Sequence, residues 1–347
     1  MARDRIISGE ASERDGERAS FSLRPERLSE CVGQKKVMEQ LMIALQAARG
    51  RGEPMPHLLF SGPPGLGKTT FAHVLARESG ATMRLTSGPA IAKQGDLMSL
   101  LTGLETGDVL FIDEIHRLSH TVEEFLYPAM EDFRVDFTLE GGIGGRTVNF
   151  SLNRFTLVGA TTRSGLLTPA MRDRFGMILH FEFYQLDELV EILGRSANRL
   201  KVPYDTGAIE TIAGRSRGTP RVANRLLQRV RDYSEVRADG KLTERVVCEA
   251  LELLQVDALG LDDLDRGYLR TLITTYEGGP AGIEALAATM GQERDTLEDV
   301  VEPYLLQIGF VIRTRQGRRV TRAGYDHLGM ALPATMDDPG DAEGSLF

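Results

Sequence analysis

Short, mostly apolar runs alternate with segments of helical spacing through the first half of the chain. His57-Leu58-Leu59-Phe60, Val109-Leu110-Phe111-Ile112 and Phe155-Thr156-Leu157-Val158-Gly159-Ala160 read as strands buried on both faces. Val37, Leu41, Ala44, Leu45 and Ala48 recur at helical spacing, and Thr69 to Glu78 reads as a second helix. Such strands separated by helices predict an α/β domain built on a parallel sheet, with ligands gathered at the strand C-terminal ends. Strand signals stop near residue 186. Leu186 to Leu200, Gly207 to Ser216, Pro220 to Val236 and Thr243 to Leu254 then read as four helices. Beyond Asp257 come three more, Leu264 to Tyr276, Ile283 to Met290 and Asp295 to Ile308. A hairpin follows, Phe310 to Arg313 turning near Gln316-Gly317 into Arg318 to Thr321. Three helices and a hairpin predict a winged helix. An earlier alternation, Val135 to Leu139, a glycine turn, then Val148 to Leu152, predicts another hairpin.

The pattern divides the chain into a flexible arm over 1–20, a large α/β domain over 21–185 and a small helical domain over 186–256. A winged-helix domain over 257–330 and a disordered acidic tail over 331–347 complete it. A length of 347 residues accommodates this. The net charge of −9 requires any nucleic-acid contact to come from local basic patches. Cys31 and Cys248 are the only cysteines, which excludes a disulfide framework and fits a reducing, cytoplasmic setting. No apolar run approaches a membrane span, and the polar N-terminus lacks a signal-peptide core.

The candidate chemistry starts at Gly62-Pro63-Pro64-Gly65-Leu66-Gly67-Lys68-Thr69, a complete phosphate-binding loop between a strand and a helix. Its glycines let N–H groups at the helix start face anionic oxygens. Lys68 would reach the β- and γ-phosphates, and the Thr69 hydroxyl would hold Mg²⁺. At the end of the next apolar strand, Asp113 would hold Mg²⁺ through its water shell. The adjacent Glu114 would orient and deprotonate an attacking water, which points to an ATPase. Thr162, ending the third strand, is placed to touch the γ-phosphate or that water. Arg172 and Arg174 are equal candidates for an arginine finger. Arg221 sits in the first turn of a helix, the unfavourable end for a cation, and either serves an anionic ligand or is an ordinary surface arginine. Arg313, Arg315, Arg318, Arg319 and Arg322 form an acid-free basic run suited to phosphate contacts.

With these pieces in order, the chain resembles the AAA+ ATPases and, within them, the RuvB family of Holliday-junction branch-migration motors. The resemblance runs from about Leu23 to Leu328. It is carried by Leu23-Arg24-Pro25, Gly33-Gln34, the phosphate loop, Thr86 to Ala90 and Gly107 to Arg117. Tyr127 to Phe133, Gly159 to Arg163, Arg172 to Gly176, Arg215 to Arg221 and on to Arg225, Val301 to Leu305 and Gly309-Phe310 continue it. It implies a nucleotide pocket lined by Leu23, Arg24, Gly62, Gly65, Gly67, Lys68, Thr69, Thr70, Glu131, Asp132, Phe133 and Tyr184. It also implies a first sensor at Thr162, a finger at Arg174 acting in trans and a second sensor at Arg221 acting in cis. DNA contacts at Arg294, Arg313 and Arg318 follow, although Thr314-Arg315-Gln316-Gly317-Arg318 departs from the family's usual T-P-R-G-R. The implied assembly is a homo-hexameric ring on duplex DNA at four-way junctions, with RuvA docked on hairpin 135–152 and RuvC in the same complex.

Two other classes compete. Asp113-Glu114-Ile115-His116 fits the D-E-x-H of superfamily-2 helicases, but residues 186–255 are too helical and too short for a second ATPase lobe. An ATP-switched DNA-binding loader would share the winged helix and lack motor activity.

Overall fold

The computed structural model describes residues 23–139 and 146–333. The arm expected over 1–20, the tip of the 135–152 hairpin and residues 334–347 of the expected tail lie outside the described residues. The chain forms two compact units. One runs to Leu200 and takes in Thr219–Asn224; the other comprises Lys201–Gly218 and Arg225 onward.

In the first unit, α1 (Lys35–Arg51) precedes β1 (Leu58–Ser61), and α2 (Lys68–Ser79) follows the phosphate loop. Next come β2 (Met83–Ser87), α3 (Gln94–Thr102), β3 (Val109–Asp113) and α4 (His120–Glu131). A separate antiparallel pair, β4 (Arg134–Leu139) and β5 (Arg146–Ser151), leads to β6 (Thr156–Thr161). The unit continues with α5 (Pro169–Arg172), β7 (Met177–His180) and α6 (Leu186–Arg199).

Five of these strands form a parallel sheet in the order β2-β3-β6-β1-β7. The central strands β1 and β6 are buried throughout, and so is the apolar part of β3, because helices cover both faces. The edges β2 and β7 carry exposed residues such as Leu85 and Ile178, and in β2 Arg84 and Thr86 interrupt the apolar run. On one face Leu59, Leu110, Ile112 and Leu157 pack with Leu97, Leu101, Leu126 and Met130. His57 locks the start of β1. Its Nδ1 accepts from the Leu157 N–H at 2.8 Å, so Nε2 carries the proton and donates to the Met130 carbonyl at 3.0 Å. Burial holds this imidazole below its usual pKa.

In the second unit, α7 (Thr206–Gly214) is followed by α8 (Pro220–Arg237), whose first turn belongs to the first unit, and by α9 (Glu244–Leu253). Then come α10 (Asp263–Thr275) and α11 (Ile283–Met290). The segment expected as one helix over Asp295–Ile308 is instead built in three pieces. Arg294–Thr296 is α-helical, Leu297–Val301 is a π turn, and α12 (Glu302–Gln307) resumes before Pro303. A proline there has no N–H to give, and a wider turn accommodates it. The hairpin β8 (Val311–Thr314) and β9 (Gly317–Val320) and a last helix, α13 (Arg322–Leu328), complete the unit. Tyr268, Leu272, Leu286, Leu305, Val311, Val320 and Tyr325 form its core.

Candidate active site

The phosphate loop leaves the C-terminal end of β1, and its backbone explains its glycines. Gly62, Gly65 and Gly67 have φ of 140°, 81° and 94°, a region closed to most side chains. A Cβ on Gly62 would stand 2.4 Å from the Phe181 carbonyl oxygen. Gly67 caps α2 and brings no side chain onto the first N–H groups of that helix. Those donors and the helix dipole are left to an anion. Lys68 is almost fully buried and donates to the carbonyls of Gly62 and Pro63 at 2.7 and 2.9 Å. Burial lowers its pKa, while the carboxylates of Glu114 and Asp113 oppose the shift. A cradle with one lysine held against two acids fits a phosphate chain and its cation.

Asp113 ends β3 and Glu114 follows it. Glu114 takes the left-handed conformation, φ 47°, and its N–H donates to Asp113 Oδ1 at 3.0 Å. Thr162 donates to Glu114 Oε2 at 3.2 Å. His116 Nδ1 lies 3.2 Å from the same oxygen and 3.0 Å from the Thr161 hydroxyl. A carboxylate only accepts, so the proton between His116 and Glu114 belongs on Nδ1. Burial, and next the Asp113 charge, raise the pKa of Glu114. His116 and Thr161 are site residues that the sequence reading missed. The D-E-x-H pattern of Asp113 to His116 carries the sequence signal for His116.

Tyr184 and Arg221 meet this loop. The Tyr184 hydroxyl donates to the Leu66 carbonyl at 3.3 Å, and a Cβ on Gly33 would stand 2.8 Å from the Tyr184 ring. Gln34 brackets Glu182: its amide donates to the Glu182 carbonyl at 2.6 Å and accepts from the Glu182 N–H at 3.1 Å. The Arg221 N–H donates to the Gly65 carbonyl at 3.4 Å, while the side chain is exposed. Leu23 is buried, the Arg24 carbonyl accepts from Arg199 Nη1 at 2.7 Å, and the Arg24 charge reaches His73 on α2. Thr69 and Thr70 sit in the first turn of α2.

Glu131, Asp132, Phe133 and Arg174 are not in this pocket. The Phe133 ring lies 6.0 Å from that of His57, before β1 begins, and Met177, three residues after Arg174, pairs with Leu58. β1 therefore separates this group from the phosphate loop by about 13 Å at 3.3 Å per residue. Glu131, Asp132 and Phe133, expected to line the same pocket as the phosphate loop, thus stand with Arg174, the residue expected to act in trans: this chain carries two groups of expected nucleotide residues, at opposite ends of β1. In the second, Arg174 Nη2 pairs with Glu131 at 3.1 Å and Nη1 donates to the Ala170 carbonyl at 2.6 Å. Arg172, the rival finger, is committed elsewhere, donating to the carbonyls of Ser164 and Leu167 at 2.8 and 3.5 Å.

The sequence of this whole assembly matches three family models end to end. They are the Holliday junction DNA helicase RuvB P-loop domain over residues 23–181, the RuvB AAA lid domain over 184–257 and the RuvB C-terminal winged helix domain over 258–329. The chain belongs to the RuvB family. It is 54% identical over 315 residues to the Holliday junction branch migration complex subunit RuvB of Kosmotoga olearia, covering 91% of this chain and 92% of that protein. The solved structure of the Thermotoga maritima RuvB Holliday junction branch migration motor is similar at 51% identity. The match has a TM-score of 0.82 and covers 90% of this chain and all of that one. A Thermotoga maritima RuvB mutant structure matches at 50% identity and a TM-score of 0.84, over 90% of this chain and 99% of the other.

Within this RuvB winged helix, the three arginines expected to contact DNA form one network with acids. Arg313 and Arg318 face each other across β8 and β9, and both reach Glu302, which is fully buried. Arg313 Nε and Arg318 Nε each donate to it at 2.8 Å, as does the Tyr268 hydroxyl. Arg318 also donates to Glu298 at 2.9 Å, and Arg294 joins Glu298 and Glu284 at 3.1 and 2.9 Å. Arg318 is only 14% exposed, against 49% for Arg313 and 51% for Arg294. Of the three arginines expected to contact DNA, Arg318 is thus the most covered and the most heavily paired with acids.

In the β4–β5 hairpin, Phe150 faces Val135 in the ladder; Val135 is buried and Phe150 is 39% exposed. The side chains of Phe137 and Leu139 lie outside the described residues.

Proposed function

We propose that this chain is the ATP-hydrolysing motor subunit that drives branch migration of Holliday junctions in recombination and repair, acting on duplex DNA with RuvA. The observation that carries the reading is the meeting of Lys68, Asp113 and Glu114 beyond the ends of β1 and β3, in a chain whose whole described length is that of RuvB.

ATP supplies the bond to be broken, and a bound Mg²⁺ would neutralise charge on its phosphates. Lys68 and the N–H groups opening α2 hold those phosphates, with Thr69 and Asp113 as the metal-side oxygens. Glu114 takes the proton of the attacking water; its raised pKa makes it a better base once ionised. Thr162 and His116 fix the carboxylate that does so. Tyr184 and Arg221 close the same chain's pocket, with Arg221 as the sensor in cis.

Arg174, with Glu131, Asp132 and Phe133, serves the pocket of a neighbouring copy. Its place a strand's length from its own phosphate loop supports this, and it calls for a closed ring, here a homo-hexamer. Arg313 and Arg294, with Arg315 on the exposed wing, contact DNA phosphates, which suits a motor that must accept every sequence. The β4–β5 hairpin docks RuvA, and RuvC joins the same cytoplasmic complex.

The test is ATP-dependent dissociation of a synthetic four-way junction, with and without RuvA and with Glu114→Gln as control. Strand separation that needs ATP and Glu114 and is stimulated by RuvA supports the motor. ATP turnover and DNA binding without junction movement replace it with a DNA-bound switch.

A further inference from the structure

Arg174 rests on a ring. Its guanidinium carbon lies 4.0 Å from the centroid of Tyr127, two helical turns into α4 and forty-seven residues upstream in the chain. We infer that Tyr127 is the positioning residue of the arginine finger, holding the Arg174 guanidinium over its ring and leaving one hydrogen on each Nη for a neighbouring copy's phosphate. The inference rests on the trans reading of Arg174 given above.

Stacking and hydrogen bonding use different parts of a guanidinium. A cation over an aromatic ring is held by the ring quadrupole, perpendicular to the plane in which its five N–H groups point. An ion pair alone would hold Arg174 by consuming that edge. Here one Nη meets Glu131 and the other meets the Ala170 carbonyl, each with a further hydrogen to give.

The platform is itself fixed. The Tyr127 hydroxyl donates to Glu123 Oε1 at 2.7 Å, and Glu123 is almost fully buried. The Thr168 hydroxyl donates to the same oxygen. Thr168 is the N-cap of α5, accepting from the Met171 N–H at 3.1 Å, and α5 ends two residues before Arg174. One buried carboxylate therefore orients both the ring and the helix that delivers the finger. A tyrosine in this place has a use beyond filling space between α4 and α5.

The test uses mixed assemblies of the full chain and measures steady-state ATP turnover. Tyr127→Leu removes the ring, and a homogeneous Tyr127→Leu assembly should lose roughly 3- to 30-fold in kcat with little change in KM for ATP. Tyr127→Phe keeps the ring and should retain most of the turnover. Tyr127→Leu is then mixed with Lys68→Ala, whose pocket is dead and whose finger side is intact. Turnover per competent pocket should recover, because Lys68→Ala subunits lend a well-placed Arg174 to Tyr127→Leu pockets. The same mixture made with Arg174→Ala tests the trans reading by itself. Recovery with Arg174→Ala but not with Tyr127→Leu overturns the positioning role and leaves the finger standing. No recovery with Arg174→Ala overturns the trans reading and the inference with it. Equal losses in Tyr127→Phe and Tyr127→Leu would assign the effect to the hydroxyl and also overturn the role of the ring.

Discussion

Thr162 donates to Glu114 Oε2 at 3.2 Å, joining the residue after β6 to the proposed base after β3. This bond favours the ionised carboxylate and opposes the upward pKa shift from burial and Asp113. Thr162→Val should lower kcat for ATP roughly 10-fold, the worth of a hydrogen bond to a charged group, with KM nearly unchanged. A base works only when ionised, so turnover rises with pH through its pKa. Loss of the Thr162 donor raises that pKa further and should move the rising limb to higher pH. Thr162→Ser should leave the limb in place, and a pH–kcat profile of the three proteins decides.

Gly62 tests the cradle without touching a charged group. Alanine there meets both a φ of 140° and a carbonyl oxygen of Phe181 at 2.4 Å from its Cβ. Strain of about 2 kcal/mol or more would be relieved by shifting the loop, at a cost in nucleotide affinity on the order of 30-fold. Equilibrium binding of a fluorescent ATP analogue to Gly62→Ala measures it; unchanged affinity would contradict the loop geometry.

Much of this site was legible because its determinants are local. The phosphate loop, Asp113-Glu114 and the three central strands are continuous in sequence, and a strand buried on both faces announces itself as an apolar run. β2 is an edge strand whose Arg84 and Thr86 break any such run. The π turn at Leu297–Val301 has no periodicity of its own to read. Glu131, Asp132 and Phe133 show a different gap. A motif can say that residues serve a nucleotide, but only the direction of β1 says that they stand at the wrong end of their own sheet to serve it. Arg318 likewise reads as one basic residue among five until the buried Glu302 appears opposite it.

That difference among the wing arginines separates two measurable quantities. Arg315 is exposed, and its loss should reduce the slope of log K against log salt for duplex DNA by about 1. Arg318→Ala instead removes a partner of Glu302 and Glu298 from the wing's interior. It should destabilise the protein by about 2 kcal/mol or more and alter the salt slope less than Arg315→Ala does. Salt titrations and urea melts on the two variants give both numbers. A larger slope change in Arg318→Ala would assign that residue to the DNA contacts.

Arg217 offers the largest stability effect. It is buried with a left-handed backbone, φ 52°, just before the loop that leads to Arg221. Its Nε donates to the Gly260 carbonyl at 2.7 Å, and its Nη2 meets Asp262 at 2.8 Å and Asp265 at 2.7 Å. Asp262 and Asp265 cap α10 reciprocally, so one arginine holds the entry to the winged helix. Burial pushes the Asp265 carboxyl up to about 7 even with Arg217 beside it. Arg217→Ala leaves that carboxyl buried without its main counter-charge and should cost about 3–5 kcal/mol at pH 8. The sign with pH follows from the proton. An acid whose folded pKa lies above its unfolded value binds protons more tightly when folded, so stability falls as pH rises from near 4 through the folded pKa. Removing Arg217 raises the folded value again and extends the window upward. The deficit of the variant should therefore shrink markedly between pH 8 and pH 5, where Asp265 takes up its proton in the folded state. Urea denaturation of both proteins at the two pH values checks this, and a deficit independent of pH would show that Arg217 contributes through packing and its bond to Gly260, and not through Asp265.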